Sequence, residues 1–246
     1  MASAEASRTG IDSARYFYVG VAAFVVIFTF GAFTRSYWAP LSGGSLDMHA
    51  AIHAHAALFF LWTLFFLTQT LLAAQGRTLA HRELGMFGVA LAGAMVFSGV
   101  VASVVTLAQL MDSPRERVVI GTSILGLSSM IVFTTFMTAA VANIRRPEWH
   151  KRLMVLATFA LMQAVVTRYI LLIPDIIQPH RALIGATITD LMLLAVILAD
   201  ARIKGRVHPV YLAGGAFLLF VQIARSPLTH TPFWRDACHW LASLTG

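Results

Sequence analysis

The chain has 246 residues, of which 58% are hydrophobic and 12% charged, with a mean hydropathy of +0.76. Soluble domains carry about 25% charged residues, so the composition excludes an ordinary soluble enzyme and implies a polytopic membrane protein. The net charge of +7 lies in short loops rather than along one face, which argues for the lipid bilayer as partner and against nucleic acid.

Seven apolar segments follow in order. Residues 1–14 are polar and lack the charged, apolar, small-residue order of a cleaved signal peptide, so they read as a cytoplasmic tail. Segment one covers 15–37, with Asp12 or Ser13 placed to cap it. A turn rich in Pro, Ser and Gly leads to segment two, 48–74, which opens on His49, His53 and His55. Segments three and four cover 84–110 and 118–144, and segment five runs over 151–173 until Pro174 stops it. Segments six and seven cover 181–201 and 209–224. The expectation is an all-α membrane protein, a bundle of seven transmembrane helices over 15–225. Residues 226–246 are too short and polar to span. There Trp234 and Trp240 suit an external interfacial helix. Cys238 is the single cysteine, so neither an intrachain disulfide nor a thiolate cluster can form.

Loop charge gives an orientation. The tail and the loops after segments two, four and six hold eleven Lys and Arg, including Arg152, against six on the other side, including Arg225. The bias predicts a cytoplasmic N-terminus and a periplasmic C-terminus. Small residues predict close helix packing: Gly88, Ala92, Gly99 and Ser103 on segment three, and Gly121, Ser128 and Thr135 on segment four.

Candidate chemistry rests on ionisable residues inside spans, which are costly and so informative. His49 and His53 are four apart and share a helix face, whereas His55 lies about 200° round from His53. Arg168 in segment five and Asp190 in segment six fall at depths similar to His53. Three readings follow. Arg168 and Asp190 form a structural ion pair. Alternatively His49 and His53, helped by Asp190 or His180, bind copper, zinc or haem iron. Or Arg168 holds a small anion, as a binding or transport protein would. On the other side His81 and His150 each precede a helix. They read either as interfacial caps or as axial ligands of an inner haem b, with His53 and His180 holding an outer one.

The runs HAALFFLWTLFFLTQ, GRTLAHRELG and VANIRRPEWHKRLMVLATFALMQAVVTRY resemble a family of uncharacterised bacterial multi-pass inner-membrane proteins. That family's pattern is a histidine-led helix, an HRxLG loop, an HRxWM-like basic loop and an arginine ending the next helix. The likeness spans residues 49–169, and here the second loop reads HKRLM, without the tryptophan. It implies an integral bacterial inner-membrane protein in which His53, His81, His150 and Arg168 matter, and it implies no reaction. A looser likeness, to membrane proteins that assist haem–copper oxidase assembly, rests on similar histidine-led helices. Together these point to metal or haem binding in respiratory redox chemistry, beside a respiratory membrane complex. A structural accessory subunit is the third alternative.

Overall fold

The computed structural model describes the backbone of residues 2–173 and 180–245 and the side chains of 16–173 and 180–245. Among these residues it is all helical, with nine α-helices and no strand. They are α1 (Ala2–Ala32), α2 (Ala39–Ser42), α3 (Ala50–Ala74), α4 (Thr78–Leu110), α5 (Glu116–Ala142), α6 (Pro147–Ile170), α7 (Arg181–Lys204), α8 (Pro209–Leu228) and α9 (Pro232–Ala242). Six of them are long and apolar enough to cross a membrane, or seven spans result if α1 and the bent segment after it count as one. The chain is a multi-pass membrane protein.

Helix ends depart from the expected boundaries for local reasons. α1 begins at Ala2, upstream of the expected start; the Asp12 and Ser13 side chains lie outside the described residues. It stops at Ala32, where a π-helical stretch, Thr34–Trp38, bends the path by 44°. A π-bulge misaligns the i→i−4 ladder and so kinks the chain. The bend turns Trp38 onto Phe30 and Phe60, with ring centroids 5.5 and 4.5 Å apart. α4 starts six residues before the expected 84, because the stretch Thr78–Glu83 after Gly76 is helical. Gly76 itself adopts φ +73°, the left-handed conformation that ends α3. α8 carries on to Leu228, which brings Arg225 inside a helix rather than in a loop.

α6 is the hub. In its apolar window 72% of residues are buried, against 22–39% in the other spans, and it contacts α1, α5, α7 and α8. Val155, Leu156, Ala157 and Val165 on it are fully enclosed. The outer helices turn Phe97, Ile131, Leu191, Leu212 and Phe220 outward, as lipid-facing surfaces require.

The small-residue expectation divides. On α4, a Cβ at Gly88 would meet the Phe65 ring of α3, and one at Gly99 would meet Met130 Sδ of α5 at 2.8 Å, so this stripe lets α4 approach both neighbours. On α5, nothing lies within 4 Å of a Cβ at Gly121, and Thr135 is exposed, so that stripe is not a contact face. The close approach of α8 comes instead at Gly214, packed against Leu156 and Phe136.

α9 is the expected short helix outside the spans. It is tied down by Trp234 Nε1, which donates to the Ile120 carbonyl at 3.1 Å, and by the fully buried Cys238. Burial pushes the Cys238 thiol up from its ordinary range, with Ser123 Oγ 3.5 Å away opposing the rise. A thiol so placed is a packing group rather than a nucleophile.

Candidate functional site

The three histidines of α3 face three different partners. His49 is the N-cap, and its Nδ1 accepts from Ala51 N at 3.1 Å. One turn on, His53 Nδ1 lies 3.1 Å from the Tyr37 hydroxyl, which the π-helical stretch delivers. His55 points round the helix to Ser98 Oγ on α4, 3.2 Å away. His180 is the exposed N-cap of α7. Asp190 accepts from Gln222 Nε2 at 2.9 Å, on the α8 side. The structure does not gather His49, His53 and Asp190 into one group. No group of three or more His, Cys, Asp or Glu stands close enough to hold an ion among the described residues.

Arg168 does not meet Asp190 either. Its guanidinium lies 5.1 Å from the Phe33 ring centre, and it forms no ion pair among the described residues. Equal depth along two helices is not equal azimuth: Arg168 looks toward the end of α1, Asp190 toward α8. The expected ion pair is therefore replaced by two separate arrangements.

One predicted pair does come together. His81, in the first turn of α4, and His150, in the first turn of α6, have ring centroids 6.4 Å apart with planes at 87°. Both are half-buried where the ends of α3 and α5 meet them. His150 Nδ1 is 2.9 Å from the Ala140 carbonyl, so Nδ1 carries the proton and donates. His81 Nδ1 lies 3.3 Å from the Gln69 carbonyl. With its amide turned over, Gln69 also donates to His81 Nδ1 at 2.6 Å while its oxygen accepts from Gly85 N at 3.2 Å. Two tautomers thus compete at His81, and the one with Nδ1–H frees Nε2 as His150 does.

Two charge clusters, one buried and one half-buried, complete the picture. At the same end as the histidine pair, Arg152 and Asp200 are each 1% exposed. Arg152 Nε and Nη2 donate to the two Asp200 carboxylate oxygens at 2.7 and 3.0 Å, and Nη1 donates to Glu148 Oε2 at 2.7 Å and to its carbonyl at 2.8 Å. Tyr18 donates to Asp200 Oδ1 at 2.8 Å, which fastens α1 to α6 and α7. Such bidentate forks are the strong, geometrically specific form of a salt bridge. Beside them His208 caps α8, its Nδ1 accepting from Val210 N at 3.3 Å. Burial and the Arg152 charge hold the His208 pKa below the ordinary imidazole value.

Toward the opposite end, between α5, α6, α7 and α8, Arg225 Nη2 donates to Gln163 Oε1 at 2.5 Å. Gln163 Nε2 in turn donates to the Ala182 carbonyl at 3.1 Å. These groups, with Asp190, Gln222, Ser128 and Thr189, line a cavity of about 20 Å³, room for a single water.

Sequence reasoning missed both clusters. Arg152 and Arg225 pass for loop charges in the sequence. A signal existed for Arg152: with Glu148 it forms an i, i+4 pair of opposite charge inside an otherwise apolar helix. No family model, curated protein or solved structure matches the chain.

Proposed function

We propose that this chain is an integral membrane protein that holds one metal centre, haem iron or a copper or zinc ion, between His81 and His150. Its role would be electron transfer or oxidase assembly in a bacterial inner membrane. The carrying observation is the histidine pair: imidazoles from two helices, 6.4 Å between centroids, with Nδ1 of each facing a main-chain carbonyl. Metal–nitrogen bonds of about 2.0–2.1 Å on either side of an ion, plus two ring radii, bring imidazole centres to roughly this separation. At His150 the Ala140 carbonyl accepting from Nδ1–H is the outer-shell partner that fixes a ligating histidine's tautomer and raises its basicity; at His81 the Gln69 carbonyl plays that part in the Nδ1–H tautomer alone. Two imidazole ligands would leave positions open on a copper or zinc ion and would complete the coordination of haem iron, which suits ligand exchange in the first case and electron transfer in the second.

The reading moves the centre from the His49/His53 end to the opposite, basic end. Under the loop-charge bias that end is cytoplasmic. The resemblance to the family with the HRxLG and HRxWM-like loops points the same way, since those loops carry His81 and His150.

The test is an oxidised and reduced ultraviolet–visible spectrum with metal analysis on the purified chain, its His81→Ala and His150→Ala variants, and His55→Ala as control. Haem gives a reducible Soret band, and copper or zinc gives about one ion per chain. Either signal should vanish in both variants and persist in the control. A chain purified from metal- and haem-replete cells that carries neither, or one whose metal survives both substitutions, contradicts the proposal.

A further inference from the structure

At the end of the bundle opposite the histidine pair, a cleft of about 450 Å³ opens between the first turn of α5 and the α8–α9 corner. Its walls carry Arg117, Ile120, Thr229, His230, Thr231 and Arg235. This is the size of a small-ligand site, and two arginines and a histidine stand among its lining residues. Trp234 and Cys238 pin α9 to α5 through the Ile120 carbonyl and Ser123, so the two arginines are held on facing sides rather than on loose loops.

Neither arginine forms an ion pair among the described residues. The nearest carboxylate on α5, Glu116, is turned to His239 Nε2 at 3.8 Å. Asp236 follows Arg235 on α9, about 100° round the helix from it. The threonine hydroxyl protons are already spent on the Arg225 and Leu228 carbonyls. The donors left facing the cleft are therefore two guanidinium forks and the His230 ring. Planar forks bind phosphate oxygens two at a time, whereas water and neutral solutes gain little from them. On the far side of α9, Phe233 is 71% and Trp240 63% exposed, apolar surface of the kind that interfacial helices turn to lipid.

We propose that the cleft between Arg117 and Arg235 binds a phosphate group, carried either by an anionic lipid or by a soluble anion. The site is separate from the histidine pair and does not depend on the metal reading. It also relocates the small-anion expectation: Arg168 lies over the Phe33 ring, whereas Arg117 and Arg235 line an open cleft and form no ion pair among the described residues.

The experiment has two arms, each run on the intact chain and on Arg117→Gln/Arg235→Gln. In detergent, inorganic phosphate is titrated by calorimetry. In nanodiscs of phosphatidylcholine with and without phosphatidylglycerol, retained lipid is counted by native mass spectrometry. Binding in the first arm identifies a soluble phosphate ligand and in the second a lipid headgroup; in either, the double variant should bind about tenfold more weakly or less. Both arginines are exposed, so the ligand-free variant should keep the parent's unfolding temperature. The proposal is overturned if neither probe binds, or if the double variant binds as the parent does.

Discussion

The buried and the half-buried charge cluster solve the same problem differently. At the basic end, Arg152 and Asp200 meet directly, with every guanidinium fork occupied and 1% of either residue exposed. In the opposite half, Arg225 and Asp190 share a cavity but each is held by an amide, Gln163 for the cation and Gln222 for the anion. The first arrangement fixes three helices, α1, α6 and α7, in one register. The second leaves room for water and spreads the charge over neutral dipoles, so its members can change state at lower cost. A dry, bidentate pair is a fastener. An amide-separated pair beside a water-sized cavity is adjustable.

That contrast predicts unequal mutational effects. Arg152→Met should be the most damaging single change, because it strands Asp200 as an unpaired buried charge at a cost of about 3–5 kcal/mol. Thermal unfolding in detergent would read it, and Arg152→Met/Asp200→Leu should recover much of the loss. Additive losses would show that the pair does not carry the register.

Asp190→Asn or Arg225→Gln should cost less, about 0.5–2 kcal/mol, since amides remain as partners and interhelical polar contacts in membranes are individually modest. A double-mutant cycle should show coupling between Asp190 and Arg225 and none between Asp190 and Arg168. Coupling to Arg168 would mean that the two helices pack differently from the arrangement described.

The smallest effect concerns the cap beside the basic cluster. His208 accepts from Val210 N, which only the ring with an unprotonated Nδ1 can do, and its folded pKa is lowered by burial and by Arg152. A lowered histidine pKa means that folding disfavours the proton. Its contribution is whole above about pH 6.5 and falls away as the pH drops through the folded value. His208→Asn keeps a capping acceptor and should flatten the acid side of the stability profile. An unchanged profile would place the acid sensitivity elsewhere.

What the sequence made legible follows from what each signal measures. Apolar length announced the spans, because a hydrocarbon core demands about twenty residues of it. The π-bend at Thr34–Trp38 left no trace, since no proline or glycine lies within it. Tyr37 was therefore not available as the partner of His53. Asp190 was visible as a charge inside a span, yet depth alone does not tell which neighbour it faces. Arg152 was hidden for the opposite reason, because it sits next to Lys151 and a basic loop and looks like one more snorkelling charge. His81 and His150 were readable as a pair because each opens a helix at the same end, a placement that connectivity alone determines.

The most direct test of the proposed metal centre is X-ray absorption at the metal edge of the purified chain. The account predicts nitrogen neighbours at about 2.0–2.1 Å with the outer-shell scattering of two imidazoles, and loss of the metal edge itself in His81→Ala. A shell of sulfur or oxygen alone, or one that His81→Ala and His150→Ala leave unchanged, would contradict it.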